Sequence, residues 1–138
     1  MKILVIDQVD SSREHVVRRL RELFPDVEVV ETGHEFEGIQ IARSQKGLIA
    51  ILVADYPNVP GVRGMAGLII SALSQEFRSL ADRADVPICL MTSDREELAQ
   101  TRGVPGVNVW QSFEAPHQLY RLMKQRDRQN PRPARRGF

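Results

Sequence analysis

Hydrophobic positions along this chain follow two alternating rhythms. KILVI (2–6) is a short, unbroken apolar run ending at Asp7, the pattern of a strand covered on both faces. After it, Val16, Val17, Leu20, Leu23 and Phe24 return at helical spacing, while Arg13, Glu14, Arg18, Arg19 and Arg21 fall mostly off that stripe. Ser11 with Glu14 fits a capping box, which places the helix start at Ser11 or Ser12, and Pro25 stops the helix. VEVVET (27–32) predicts a second strand. HEFEGIQIARSQKG predicts a second helix that uses Phe36, Ile39 and Ala42, with Gly47 capping its end. LIAILVAD (48–55) is the most hydrophobic strand and reads as central.

The rhythm continues beyond a loop. AGLIISALSQEFRSLADRA (66–84) places Ile69, Leu73, Phe77 and Leu80 on one helical stripe. VPICLM (86–91) is a fourth strand, Ser93 with Glu96 caps a short helix, and GVNVW (106–110) is a fifth strand. EAPHQLYRLMKQ (114–125) is a last helix, with Pro116 tolerated in its first turn. Five strands alternating with five helices predict an α/β protein, a doubly wound parallel sheet with helices on both faces. The arginine-rich stretch RDRQNPRPARRGF reads as a disordered tail or linker stub. The expected organisation is one domain over 1–127 and a basic, proline-containing tail over 128–138.

Composition narrows the function classes. The chain has 138 residues, 42% hydrophobic and 27% charged, with a net charge of +1. That balance argues against a general nucleic-acid or membrane binder. The opening MKILVID has none of the features of a signal peptide, and the single cysteine, Cys89, lies in an apolar strand. A reducing, cytoplasmic setting is therefore expected. His15, His34 and His117 are dispersed without metal-ligand spacing, and Trp110 reads as packing.

In a sheet of this kind, function gathers at the carboxyl ends of the strands. There the pattern places Asp7 and Gln8, Asp55, Thr92 and Ser93, and Gln111 and Ser112. With these residues in place, the chain over roughly 2–126 resembles the receiver domains of two-component response regulators. The resemblance implies a flavodoxin-like (βα)5 fold with strand order 2-1-3-4-5. It also implies that Asp55 accepts a phosphoryl group from a histidine kinase and that Thr92 contacts that group. Asp7, Asp55 and the backbone carbonyl of Pro57 would be Mg²⁺ ligands. A signalling module is implied, and not an enzyme.

The departures from the family pattern cluster at the same rim. Gln8 stands where the family has a second acid, so it can offer Mg²⁺ an uncharged oxygen only. Gln111 stands at the position of the family lysine, Ser112 at that of a proline, and Asn108 at the aromatic switch position. The loop proline and glycine arrive one residue late, at Pro60 and Gly64, and Pro57 has no N–H to offer a phosphoryl group. The expectation is a pseudo-receiver: Mg²⁺ binding weak, phosphorylation of Asp55 weak or absent, and output through contacts with a kinase or output protein near strands four and five. A homodimer is left open. Two alternatives stand beside it. One is a conventional Mg²⁺-dependent Asp55 switch. The other is a small flavodoxin-like enzyme or phosphate-ligand binder using Gly61, Gly64, Gly67 and Arg63.

Overall fold

Each apolar run becomes a strand of one parallel sheet in the computed structural model, which describes residues 1–55, 65–93 and 108–129. In chain order the elements are β1 (Lys2–Ile6), α1 (Asp10–Leu23), β2 (Glu28–Thr32), α2 (Glu35–Ser44) and β3 (Leu48–Asp55). They continue with α3 (Met65–Arg78), β4 (Ile88–Thr92), β5 (Asn108–Gln111) and α4 (Ala115–Gln129). The sheet order is β2-β1-β3-β4-β5, as expected, and every pairing is parallel. The short helix expected after Ser93 lies outside the described residues, as does the 56–64 loop.

Strand alternation divides the core between two layers. Ile3 and Val5 face one way and join Val16, Leu20, Leu52, Met91 and Leu119, beneath α1 and α4. Leu4 and Ile6 face the other way and join Ile51, Val53, Ile69, Leu73 and Phe77, beneath α2 and α3. The chain moves outward from β1 to β2, then back across β1 to β3. Right-handed crossovers then force α1 and α2 onto opposite faces. The reversal puts the topological switch point between β1 and β3, whose ends carry Asp7 and Asp55.

Five local expectations change. Helix α1 starts at Asp10 with Val9 as N-cap and no side-chain cap, so the Ser11–Glu14 box does not form. Instead the Asp7 carboxylate accepts the Val9 N–H at 3.0 Å, which sets the turn before Ser11 is reached. Phe36 is exposed, because α2 buries Gly38 and Ala42. Two residues turn a helix by roughly 200°, so burying Gly38 points Phe36 outward. Helix α3 ends at Arg78, leaving Leu80 in the following turn and partly exposed. Gly47 does have positive φ, +78°, but it lies beyond the α2 C-cap Gln45, in the turn where its carbonyl accepts the Lys2 N–H. Helix α4 extends past Gln125 to Gln129, four residues beyond its predicted end.

The end of α2 is closed by a residue that periodicity did not single out. Arg83 donates to the carbonyls of Ala42 (2.6 Å) and Gln45 (3.1 Å), and its guanidinium lies 5.2 Å from the centre of the Phe77 ring. It therefore satisfies helix-end carbonyls while tying the α3–β4 turn to α2.

Gly38 marks the closest approach of α2 to the sheet. A Cβ there would sit 2.5 Å from Ile6 Cδ1 and 2.7 Å from Cγ1. Ile6 is buried and branched, so it has little room to yield. Overpacking costs ~1–3 kcal/mol, and the better helix propensity of alanine returns up to about 1 kcal/mol. Gly38→Ala should lose about 1–2 kcal/mol in urea unfolding, with an unchanged m-value. A midpoint at or above that of the wild type would show that the layers are not in close contact here.

Candidate functional site

The carboxyl ends of four strands bring the predicted rim residues into a row. Asp55 ends β3 and pairs in register with Thr92, which ends β4, and Thr92 pairs with Gln111, which ends β5. Neighbouring strands are about 4.8 Å apart, so these three span about 10 Å. Asp7 follows the Ile6–Val53 register pair and is held level with the rim by its N–H, which donates to the Thr32 carbonyl at 3.0 Å. Asp7, Asp55 and Thr92 are only 1%, 4% and 0% exposed, and Gln111 is half-buried. Two carboxylates and a hydroxyl are thus drawn into a largely covered site by strands too apolar to end anywhere else.

Other predicted residues are not brought in. Gln8 is exposed at the start of the β1–α1 turn. Asn108 begins β5, at the end opposite Gln111. Ser112 is half-buried and its N–H donates to the Thr92 carbonyl at 3.1 Å, fixing the turn out of β5. Pro57, Pro60, Gly61, Arg63 and Gly64 lie outside the described residues, and Gly67 faces open space. His15, His34 and His117 are all exposed, and the His117 ring nitrogen Nε2 lies 2.6 Å from Arg19 Nη2. Trp110 is half-buried on the α1–α4 side of the sheet.

Arg13 is the residue the sequence pattern did not assign to the site. Its Nη1 donates to the Asp7 backbone carbonyl at 2.8 Å, its Nη2 to Asp10 at 2.7 Å and its Nε to Glu31 at 3.1 Å. One guanidinium therefore ties the end of β1 to α1 and β2, directly behind Asp7. Gly33 makes this possible, since a Cβ there would meet Arg13 Nη1 at 2.8 Å. Partial burial pulls the Arg13 pKa down, but hydrogen bonds and charge from Asp10 and Glu31 outweigh that and raise it above the ordinary arginine value. The available signal was Asp10 and Arg13 at i,i+3 on a first helical turn.

The donor set suits a hydrated cation better than a closed cage. Magnesium accepts one or two carboxylates and keeps several waters, and Asp7 and Asp55 provide two carboxylates at one rim. Among the described residues there is no cluster of three or more His, Cys, Asp or Glu side chains able to hold a metal.

With this geometry in view, comparison with known proteins gives the fold. No protein-family model and no curated protein matches the chain. Solved structures do. The chemotaxis protein CheY4 of Vibrio cholerae is 19% identical with a TM-score of 0.62, covering 90% of this chain and 96% of its own. The response regulator TrrA of Thermotoga maritima, solved with Mg²⁺-BeF, is 20% identical with a TM-score of 0.59, covering 89% and 96%. The receiver domain of the hybrid histidine kinase CckA is 20% identical with a TM-score of 0.57, covering 91% and 97%. The chain therefore has the CheY-like, flavodoxin-like fold of response-regulator receiver domains. Among the described residues, no helix is long and apolar enough to cross a membrane.

Cys89 lies beneath the rim on β4 and is fully buried. Burial pushes its thiol up to about 12, with a hydrogen bond to Asn108 and the charge of Arg126 pulling part of the way back. Below about pH 8.5 both folded and unfolded chains keep this proton, so it has no effect on stability. Above that the unfolded chain releases it first. Stability should then fall by up to about 1.4 kcal/mol per pH unit until the folded thiol also ionises. Urea midpoints taken from pH 8 to 10.5 should show this slope in the wild type and lose that component in Cys89→Ala. Equal slopes in the two proteins would mean that Cys89 is not buried as a neutral thiol.

Proposed function

We propose that this chain is a receiver module of two-component signalling that acts through protein contacts, with phosphorylation of Asp55 weak or absent. The observation that carries this reading is the rim row itself: Asp55 and Thr92 side by side, with the uncharged amide of Gln111 completing it.

Phosphoryl transfer to a carboxylate forms an O–P bond at Asp55 as the bond to the donor breaks, and negative charge accumulates on the transferred oxygens. Asp7 and Asp55 already bring negative charge to that place. Catalysis of such a step is mostly charge neutralisation and positioning. An ammonium at position 111 would supply both, whereas an amide supplies only a hydrogen bond. The residues that would hold Mg²⁺ are Asp7, Asp55 and the Pro57 carbonyl, with Gln8 as a weak fourth. Bound there, the ion would neutralise charge and orient the oxygens. Thr92 would donate its hydroxyl to a phosphoryl oxygen, and Arg13 would hold the Asp7 backbone in place. With one cationic partner replaced and one metal ligand neutral, this machinery is poorly matched to phosphotransfer, while β4 and β5, whose face would meet a partner, are paired in the sheet beside it. A histidine kinase or an output protein is the expected partner for that face.

Incubation with Mg²⁺ and acetyl phosphate, followed by intact mass, tests this. Beryllofluoride titration followed by Trp110 fluorescence gives a second readout, because Trp110 adjoins Gln111. The wild type should gain little phosphoryl mass at millimolar phosphodonor, and Gln111→Lys should gain more. A rapid, Mg²⁺-dependent, near-stoichiometric adduct on the wild type that vanishes in Asp55→Ala would replace this reading with the conventional switch.

A further inference from the structure

The amino ends of the strands carry a cleft that plays no part in the chemistry of the rim. It measures about 340 Å³, and its floor is formed by Phe24, Val27, Leu48, Ile49, Val86 and Met123. Val27 precedes β2, Leu48 and Ile49 begin β3, and Val86 precedes β4. Leu48 is buried and the other five are half-buried, although Ile49 belongs to the central strand of the sheet. Phe24, Val27, Ile49 and Met123 pack on the α1–α4 core layer, so the cleft is where that layer opens to solvent. One wall is fixed by Arg126 of α4, whose Nη1 donates to the Asp85 carbonyl at 2.6 Å. Asp82, Asp85 and Asp127 line the same cleft, with Arg126 as its one arginine, and all four are exposed.

The chain brings a segment of its own to this place. Residues 130–138, NPRPARRGF, lie outside the described residues and follow α4 directly. Asp127, in the lining, stands two residues before the helix end at Gln129, and Met123 stands six before it. On a helix those separations are about 3 Å and 9 Å. Nine residues can span about 30 Å, so Phe138 can reach the floor with length to spare. Pro131 and Pro133 oppose continuation of the helix, which would carry the chain straight past the cleft. The segment has three arginines, no acid and one large apolar side chain, Phe138.

We infer that this cleft is occupied by the chain's own segment 130–138, with the Phe138 ring on the apolar floor and the arginines toward Asp85 and Asp127. Tethering selects this occupant. A short flexible connection holds a segment at an effective concentration on the order of millimolar, so a contact too weak to join separate molecules is populated within one. Charge adds to that selection without carrying it, since the lining has three acids against one arginine whose donor is already engaged. Docking of this kind fixes the direction in which the chain leaves α4. Neither phosphotransfer nor a partner protein enters, so the inference stands or falls apart from the proposed function.

Solution NMR of the full chain tests this. In the wild type, Phe138 ring protons should show nuclear Overhauser contacts with methyl groups of Val27, Leu48 and Met123. In Phe138→Ser the backbone amides of Val27, Ile49 and Val86 should shift, while those of Asp7 and Thr92, at the far end of the strands, should stay in place. A synthetic NPRPARRGF peptide, titrated to millimolar concentration into the Phe138→Ser chain, should move the same cleft amides. The peptide carrying Phe138→Ser should bind about tenfold more weakly, the scale of losing one aromatic anchor. The inference fails if the ring makes no contact with the cleft methyls and the cleft amides are unchanged in Phe138→Ser. Contacts that run between molecules in a mixture of labelled and unlabelled chains would assign the cleft to a second copy and overturn it as well.

Discussion

Suppose β3 slipped by one residue against β4. Ile51 and Val53 would turn from the α2–α3 layer toward the α1–α4 layer, and Asp55 would lose its place beside Thr92. Both faces of the central strands are buried, so every such slip moves a full set of apolar side chains into the wrong layer. Register is thereby fixed by the core, and the core is the large apolar term in the stability of a domain of this size. The rim row is a consequence. Asp7, Asp55, Thr92 and Gln111 arrive together because four strands that cannot slip all stop at the same level. The site can change its chemistry without loosening its geometry, and Gln111 beside Thr92 is an instance of that freedom.

Much of this was legible in the chain. LIAILVAD matches β3 residue for residue, and the unbroken apolar runs identified the strands because burial on both faces leaves no place for polar residues. The rim positions followed, since a strand's end is where its apolar run stops. What escaped notice depends on contacts between segments distant in sequence. Phe36 falls on the same nominal stripe as Ile39, and only the close approach of Gly38 to Ile6 decides which arc of α2 faces inward. The capping box at Ser11 and Glu14 had the right letters, but Asp7 reached the turn first. Arg13 was placed only off the apolar stripe of its helix and Arg83 was not singled out, yet each binds backbone carbonyls of other segments. An arginine's partners lie at the end of a long side chain, where periodicity carries no information.

The two arginines also show how the fold handles loops that strand register does not reach. Arg83 closes the end of α2 and Arg13 closes the end of β1, each by donating to carbonyls that would otherwise lack partners in their own element. Arg13 does this immediately behind Asp7, with its charge already shared between Asp10 and Glu31. Its cation therefore fixes where Asp7 sits without entering the rim row. Arg13 thus positions the Asp7 backbone from behind, while the far end of the row is closed by Gln111, which brings an amide and no charge.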